Sequence, residues 1–283
     1  MSRRRQLRAT SVSVSKVVPT AEFASIVYGA AEAPADDPAE DFHEASRLYP
    51  NIAPGRLSTL VDLARDPELQ QTVARASRLY EHAPTIDLPA PRLPKVPLQN
   101  ALDRRASTLT DMPSGINLGT LSALLGASYR SRDRGPGVAR RPVPSGGALY
   151  PVELYPIPLA VEGVDSAVYH YHPYRHCLER LADVTPAAVR ASLVDQNVAD
   201  RAAALVVVTG MFWRSRFKYG LRGYRFVLLE AGHVVQNALL VAAALGVTAL
   251  PLGGFYDNRL DALVGADGID EATVYAFVVG GRA

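Results

Sequence analysis

The apolar positions of the chain change period several times, and each change marks an element. Residues 117–129 (NLGTLSALLGASY) place apolar side chains at helical spacing behind Asn117, whose carboxamide suits a helix N-cap. Residues 152–160 and 166–172 alternate with the two-residue period of strands. Thr185-Pro186 reads as the opening of a further helix, and residues 203–209 (AALVVVT) as a buried strand. A long helix from near Arg222 to Leu245 is expected next. After it come a short strand leading into PLGGF, a short helix, and a last strand at 273–280 (TVYAFVVG). Helices and strands interleaved in this way predict an α+β or α/β sandwich.

The first third of the chain reads differently. Residues 1–32 show no assignable pattern, and residues 33–41 (APADDPAED) read as an acidic, proline-containing connector. Residues 56–82 predict a helix. Within them Asp66-Pro67-Glu68 forms a good N-terminus, and Leu69, Val73, Ala76 and Tyr80 share one face. Residues 83–98 hold five prolines and predict an extended, semi-rigid path that wraps the main body. The boundary is therefore drawn between a partly helical N-terminal extension, residues 1–95, and a main domain, residues 96–283.

Composition narrows the class. Hydrophobic residues make up 48% and charged residues 20%, the balance of a soluble globular protein. The net charge of +2 gives no nucleic-acid footprint, and the Arg3, Arg4, Arg5, Arg8 cluster is too short for one. The apolar run from Ala238 to Phe255 is broken by Pro251, Gly253 and Gly254, so it reads as a buried helix end and strand rather than a membrane span. One cysteine, Cys177, precludes an internal disulfide, and a cytoplasmic location is expected.

Five stretches could carry chemistry. PSGGALYP at 144–151 is a glycine-rich turn entering a strand, where a bare backbone could approach a flat or anionic group, and PLGGF at 251–255 repeats the idea. RRAS at 104–107 offers two guanidiniums and a hydroxyl, a phosphate cradle or merely a solvated helix end. YHYHPYRH at 169–176 holds His170, His172 and His176, but no carboxylate or cysteine is spaced to complete a metal set, and no metal is expected. The fifth, FKYGLRGYRF, puts Lys218 beside Tyr219 between two glycine-containing turns, ahead of an apolar helix. A cation beside a phenol favours the phenolate, so the pair could serve as a general base; a surface lysine beside a core-capping tyrosine is the plainer alternative. Farther along, His233, Gln236 and Asn237 would share one helical face, suited to a ligand or to a subunit interface.

Taken in order, RRPVPSGGALYPVELY, VYHYHPYRHCLERL, FKYGLRGYRFVLLEAGHVVQNALLVAAALGV, LPLGGFYDNRLDALVG and DEATVYAFVVG resemble the SagB-type dehydrogenases of the nitroreductase superfamily. The resemblance covers roughly residues 99–282, and DFHEASRLYP at 41–50 is similar to that family's upstream segment. It implies a central sheet flanked by helices, a homodimer, and FMN in clefts at the dimer interface. On this sequence it implies that Arg104, Arg105 and Ser107 meet the phosphate and ribityl chain, with Arg282 a second phosphate contact. Pro144, Ser145, Gly146 and Gly147 would line the isoalloxazine ring, approached from the other side by Gly253 and Gly254. Lys218 and Tyr219 match the family's active-site pair. The implied reaction is oxidation of thiazoline or oxazoline rings in a precursor peptide to the aromatic azoles, with oxygen as final acceptor and a cyclodehydratase as a candidate partner. Thr108 and Leu109 stand where the superfamily commonly carries a further arginine. Two other readings remain open: a nicotinamide-dependent reductase of small molecules, and a flavin-free scaffold or peptide-binding subunit.

Overall fold

A computed structural model describes residues 37–49, 77–109, 115–133 and 139–282. The chain divides into two compact units, Met1–Tyr49 and Pro50–Ala283. In the first, helix α1 (Pro38–Ala45) begins at Asp37, whose side chain accepts the Ala39 amide at 2.8 Å, with proline in the first turn. This corrects the connector expected at 33–41, whose last four residues belong to the helix. An Asp-Pro pair signals a helix start, and here it outweighs the acidic composition. Residues 56–76 of the helix expected at 56–82, with Leu69, Val73 and Ala76, lie outside the described residues; 77–82 form no helix.

The second unit holds the remaining elements. Strand β1 (Thr85–Asp87) and helices α2 (Leu98–Arg104) and α3 (Leu118–Tyr129) come first, followed by strands β2 (Val152–Pro158), β3 (Ala167–His172) and β4 (Cys177–Asp183). Next come α4 (Pro186–Ser192), α5 (Asn197–Arg201), β5 (Ala204–Met211), α6 (Trp213–Tyr219), α7 (Arg222–Leu245), β6 (Val247–Leu252), α8 (Asp257–Val264) and β7 (Glu271–Arg282). The main sheet has the order β6-β7-β5-β2, all neighbours antiparallel, and a smaller antiparallel sheet runs β1-β4-β3. Helices pack on both faces of the main sheet, the α+β architecture expected. The caps expected at Asn117 and Thr185 are present, with Thr120 and Ala188 amides donating to them at 2.8 and 3.2 Å.

Strand alternation explains the layers. Val152, Leu154, Val206, Val208, Phe277 and Val279 face one side of the main sheet, against α3 and the Val234, Val235 and Ala238 stripe of α7. Their neighbours Tyr155, Ile157, Leu205, Val207, Ala276 and Val278 face the other, against Val189, Val198 and Leu260 of the short helices. By length and composition α7 could cross a bilayer; its buried stripe against the sheet accounts for the apolarity.

The proline-rich stretch is part of the second unit and is held against its strands and helices. Strand β1 pairs with β4 from Thr85↔Glu179 to Asp87↔Cys177. The Leu88 amide then donates to the His176 carbonyl at 3.1 Å, and the Pro89 carbonyl accepts from the Ser122 hydroxyl. His176 lies between the Ser122 and Tyr171 hydroxyls, each 2.8 Å from a ring nitrogen.

Candidate functional site

Antiparallel pairing brings two of the singled-out stretches, the 144–147 turn and Lys218-Tyr219, to one end of the main sheet. The 144–147 turn precedes the start of β2, α6 follows the end of β5, and Gly253 and Gly254 follow the end of β6. The pairings Val152↔Gly210 and Glu271↔Met211 place the first two of these strand ends side by side, whereas Leu252 pairs with Ala276 in the interior of β7, at the opposite edge of the sheet.

The turn is built from unusual backbone. Gly147 has φ +65°, Ala148 +55° and Tyr150 +46°, a cluster of left-handed residues of which two carry side chains. Such geometry persists where the surroundings impose it. Here the Tyr150 amide donates to the Ser145 hydroxyl at 2.9 Å. The Arg141 amide donates to the Tyr150 hydroxyl at 3.1 Å, and the buried Arg141 guanidinium lies 4.3 Å from the Tyr129 ring centre and 4.8 Å from that of Tyr150. These contacts close the neck of the loop and leave its tip to the glycines.

What stands over the tip carries the site. A methyl group added at Gly147 would come within 2.7 Å of the Tyr219 hydroxyl and 2.8 Å of Lys218 Nζ. At Gly146 it would come within 2.9 Å of the Phe226 ring, which meets Tyr219 edge-on at 4.9 Å. Lys218 Nζ lies 5.3 Å from the Tyr219 ring centre. Both functional groups therefore converge on one patch of side-chain-free backbone. The two residues form the last turn of helix α6, which ends at Gly220 with φ +56°. That corrects the expectation of residues between two turns: only the second glycine boundary is real, because WRSRFKY supplies enough helix formers for two turns.

Beneath the turn lies Glu230 of α7, 2% exposed. Burial raises its carboxyl to about 7, only partly offset by Ser145, Tyr129, Arg141 and Arg214. The Tyr129 hydroxyl donates to its Oε1 at 2.6 Å. Beside the turn runs a second buried polar chain. His170 is clamped between Glu179 at 2.8 Å and Glu153 at 3.0 Å, and Glu153 also ion-pairs with Arg214 of α6. Burial alone would raise the Glu153 carboxyl, but Arg214 and His170 outweigh it and hold it well below the usual range. This is the role of the histidine-rich strand: among the described residues no group of three or more His, Cys, Asp or Glu could hold a metal ion.

The arginine-side residues lie elsewhere. Arg104 lines an open hollow of about 280 Å³ with Thr108, Leu239, Ala242, Gly246, Thr248 and others, at the C-terminal end of α7. The Arg105 guanidinium donates to the Ser107 hydroxyl at 3.2 Å. Arg282 pairs through its backbone with Val247, at this same end of β6. The 144–147 turn is instead against Phe226, thirteen residues and roughly 20 Å along the helix from Leu239. One chain therefore gathers Pro144, Ser145, Gly146, Gly147, Lys218 and Tyr219, and sets Arg104 apart. Gly253 has open space where a side chain would be, and the Gly254 carbonyl accepts the Val194 amide at 3.1 Å. His233 and Gln236 are exposed, and Asn237 donates to the Pro142 carbonyl at 3.4 Å.

Sequence reasoning missed Arg214, Phe226 and Arg141. The four-residue spacing of Arg214 and Lys218 was a visible hint of a shared helical face, but nothing local reveals Glu153 or Gly146 as their partners.

An antiparallel sheet between helical layers, with a glycine turn facing a cation and a phenol, defines an α+β domain with a candidate active site. Residues 104–281 match the model of the nitroreductase family, a family of oxidoreductases, and the chain belongs to it. It is 35% identical over 179 residues to a provisionally named nitroreductase of Methanocaldococcus jannaschii, covering 62% of this chain and 88% of that one. It is 34% identical over 182 residues to the microcin B17-processing protein McbC of Escherichia coli, covering 59% of this chain and 65% of McbC. In structure it resembles a chain of the Escherichia coli microcin synthetase McbBCD complex, solved with truncated pro-MccB17 bound. The TM-score is 0.57 at 24% identity, over 88% of this chain and 95% of that one. The likeness to McbC agrees with the SagB-type resemblance of the motifs.

Proposed function

We propose that this protein is an FMN-dependent dehydrogenase that oxidises thiazoline or oxazoline rings to azoles in a ribosomally made peptide. The observation that carries the reading is the convergence of Tyr219 Oη and Lys218 Nζ on the bare backbone of Gly147. The relatedness to McbC, named for processing microcin B17, supports a peptide substrate. The microcin synthetase likeness supports a cyclodehydratase partner only through fold.

The residues present fit FMN. The 144–147 tip and Gly253 offer backbone without side chains for a flat ring, and Arg104 offers a guanidinium beside an open hollow for a phosphate. When bound, FMN supplies the two-electron acceptor for a hydride. The separation of the Arg104 hollow from the 144–147 turn supports a homodimer in which each copy contributes one side of a cleft, with Arg105, Ser107 and Arg282 on the phosphate side.

Aromatising an azoline removes one proton and one hydride. The chain's part is to hold the ring over the 144–147 turn and to take the α-proton on Tyr219 or Lys218. Helix α6 fixes both groups at one place, which limits the reorganisation needed at the moment of transfer. The test compares Lys218→Ala and Tyr219→Phe with the parent protein on a synthetic azoline peptide, with bound FMN quantified in each. Turnover is expected to fall on the order of 100-fold or more in both, with flavin retained. Parent-level turnover in both, or steady oxidation of reduced nicotinamide with no azoline product, would overturn the assignment.

A further inference from the structure

Helix α6 spans only seven residues, Trp213–Tyr219, and no side chain caps its start. So short a helix does not hold its own position. Three contacts tether it. The Trp213 indole donates to Asp270 at 2.7 Å. Gly223 of α7 lies against the backbone of Ser215 and Arg216, so closely that a methyl group there would meet them at 2.7–2.8 Å. The third tether is Arg214.

Arg214 precedes Lys218 by four residues, so the two side chains leave the helix on one face, a turn apart. Lys218 reaches Gly147. Arg214 reaches the other end of the same loop: its Nη1 lies 3.5 Å from the Tyr150 carbonyl and pairs with Glu153, three residues into the chain beyond it. One helical face is thus laid along the 147–153 segment, with its far end anchored. The anchor itself is rigid. The Glu153 side chain is 1% exposed, accepts the Arg78 amide at 3.0 Å, and is braced by His170, itself held by Glu179. The Arg214 side chain is 13% exposed, so the pair is largely removed from water, where such a contact fixes geometry and tolerates loss of one member badly.

We propose that Arg214 is a positioning residue for the Lys218–Tyr219 pair: its ion pair with Glu153 sets helix α6 in register with the 144–150 loop and so keeps Lys218 and Tyr219 over Gly147. This rests on the catalytic assignment of that pair given above. The contacts of Arg214 are to the Tyr150 carbonyl and Glu153, so its action runs through the helix.

The experiment uses the full-length, FMN-loaded protein and a synthetic azoline peptide. Arg214→Met, Arg214→Lys, Glu153→Gln and the Arg214→Met/Glu153→Gln double variant are compared with Lys218→Ala and Tyr219→Phe. Expected for Arg214→Met is a fall in kcat on the order of 100-fold, as a misplacement of about 1 Å produces, with the peptide KM within about twofold and FMN stoichiometry unchanged. Arg214→Lys should recover part of the loss, because it keeps the charge opposite Glu153 but not the forked guanidinium. The absorption band of bound FMN, which reports the groups packed on the ring, should move alike in Arg214→Met and Lys218→Ala. Should Arg214→Met fail to fold, the double variant removes both members of the pair together, and its kcat should fall like that of a single one, because both changes cut the same tether. Parent-level kcat per flavin-bound site in Arg214→Met, or in the double variant, would overturn the inference. Loss of kcat in Lys218→Ala and Tyr219→Phe without loss at Arg214 would overturn it alone; retention in all of them would overturn the catalytic assignment with it.

Discussion

The substitution Gly147→Ala separates the backbone strain of the loop tip from its functional contacts. Gly147 sits at φ +65°, ψ +16°, where an alanine costs about 1–2 kcal/mol. The added methyl would also meet the Tyr219 hydroxyl at 2.7 Å and Lys218 Nζ at 2.8 Å, so both must move by several tenths of an ångström or more. These atoms are the free ends of long side chains, so moving them costs little stability. Gly265, at φ +73° and ψ +28° after α8, has nothing within 4 Å of its Cβ position and carries the same strain alone. Gly147→Ala and Gly265→Ala are therefore expected to lose similar stability, roughly 2–4 °C of melting temperature per kcal/mol. Turnover on an azoline peptide should fall about 10- to 100-fold in Gly147→Ala and stay within twofold of the parent in Gly265→Ala. The assay is thermal melting beside kcat at equal bound flavin. Full activity in Gly147→Ala with the expected melting shift would show that the position of Lys218 and Tyr219 over this turn does not matter to the reaction.

Two further predictions concern the buried charges. Burial raises the Glu230 carboxyl from 4.5 to about 7, so the folded chain binds this proton more tightly than the unfolded one; that stabilisation is complete below pH 4.5 and lost as pH rises through 7. Glu230→Gln removes this titration, and its unfolding free energy relative to the parent, from chemical denaturation, should improve across that window by on the order of 3 kcal/mol in total. A constant difference would refute the assignment. His170→Leu would leave Glu153 and Glu179 buried without their shared partner, at a cost of about 3–5 kcal/mol in chemical denaturation. In the parent, the two carboxylates outweigh burial and raise the His170 pKa from 6.5, so its contribution is present below 6.5 and lost as pH rises through the folded value. The leucine variant should lack that alkaline decline, and a parent-like decline would refute the assignment.

Much of the fold was legible because its signals are local. The alternation at 203–209 became β5, Asn117 and Thr185 cap the helices they announced, and the long apolar helix ends where expected at Gly246. Errors arose where two local signals competed. At 33–41 acidity suggested a connector while Asp37-Pro38 was a cap, and at 218–219 the flanking glycines masked the short helix before them. The Gly146-Gly147 turn and the Lys218-Tyr219 pair were each visible, but their encounter depends on sheet order, which no local period encodes. Glu153 was hidden more thoroughly: a lone carboxylate in an apolar strand reads as an exception, and its three partners are 17, 61 and 75 residues away.

The pairing of Thr85–Asp87 with β4 bears on how the chain can be shortened. A boundary drawn by composition at residue 95 would delete β1 and bare the whole free edge of β4, a row of unpaired amides and carbonyls from Cys177 to Glu179. Such edges recruit one another, and the resulting chain would tend to self-associate into aggregates. A trimmed form that keeps residues from 77 onward retains its own edge protection. The proline-rich stretch thus serves as a guard against intermolecular strand pairing as well as a path around the body.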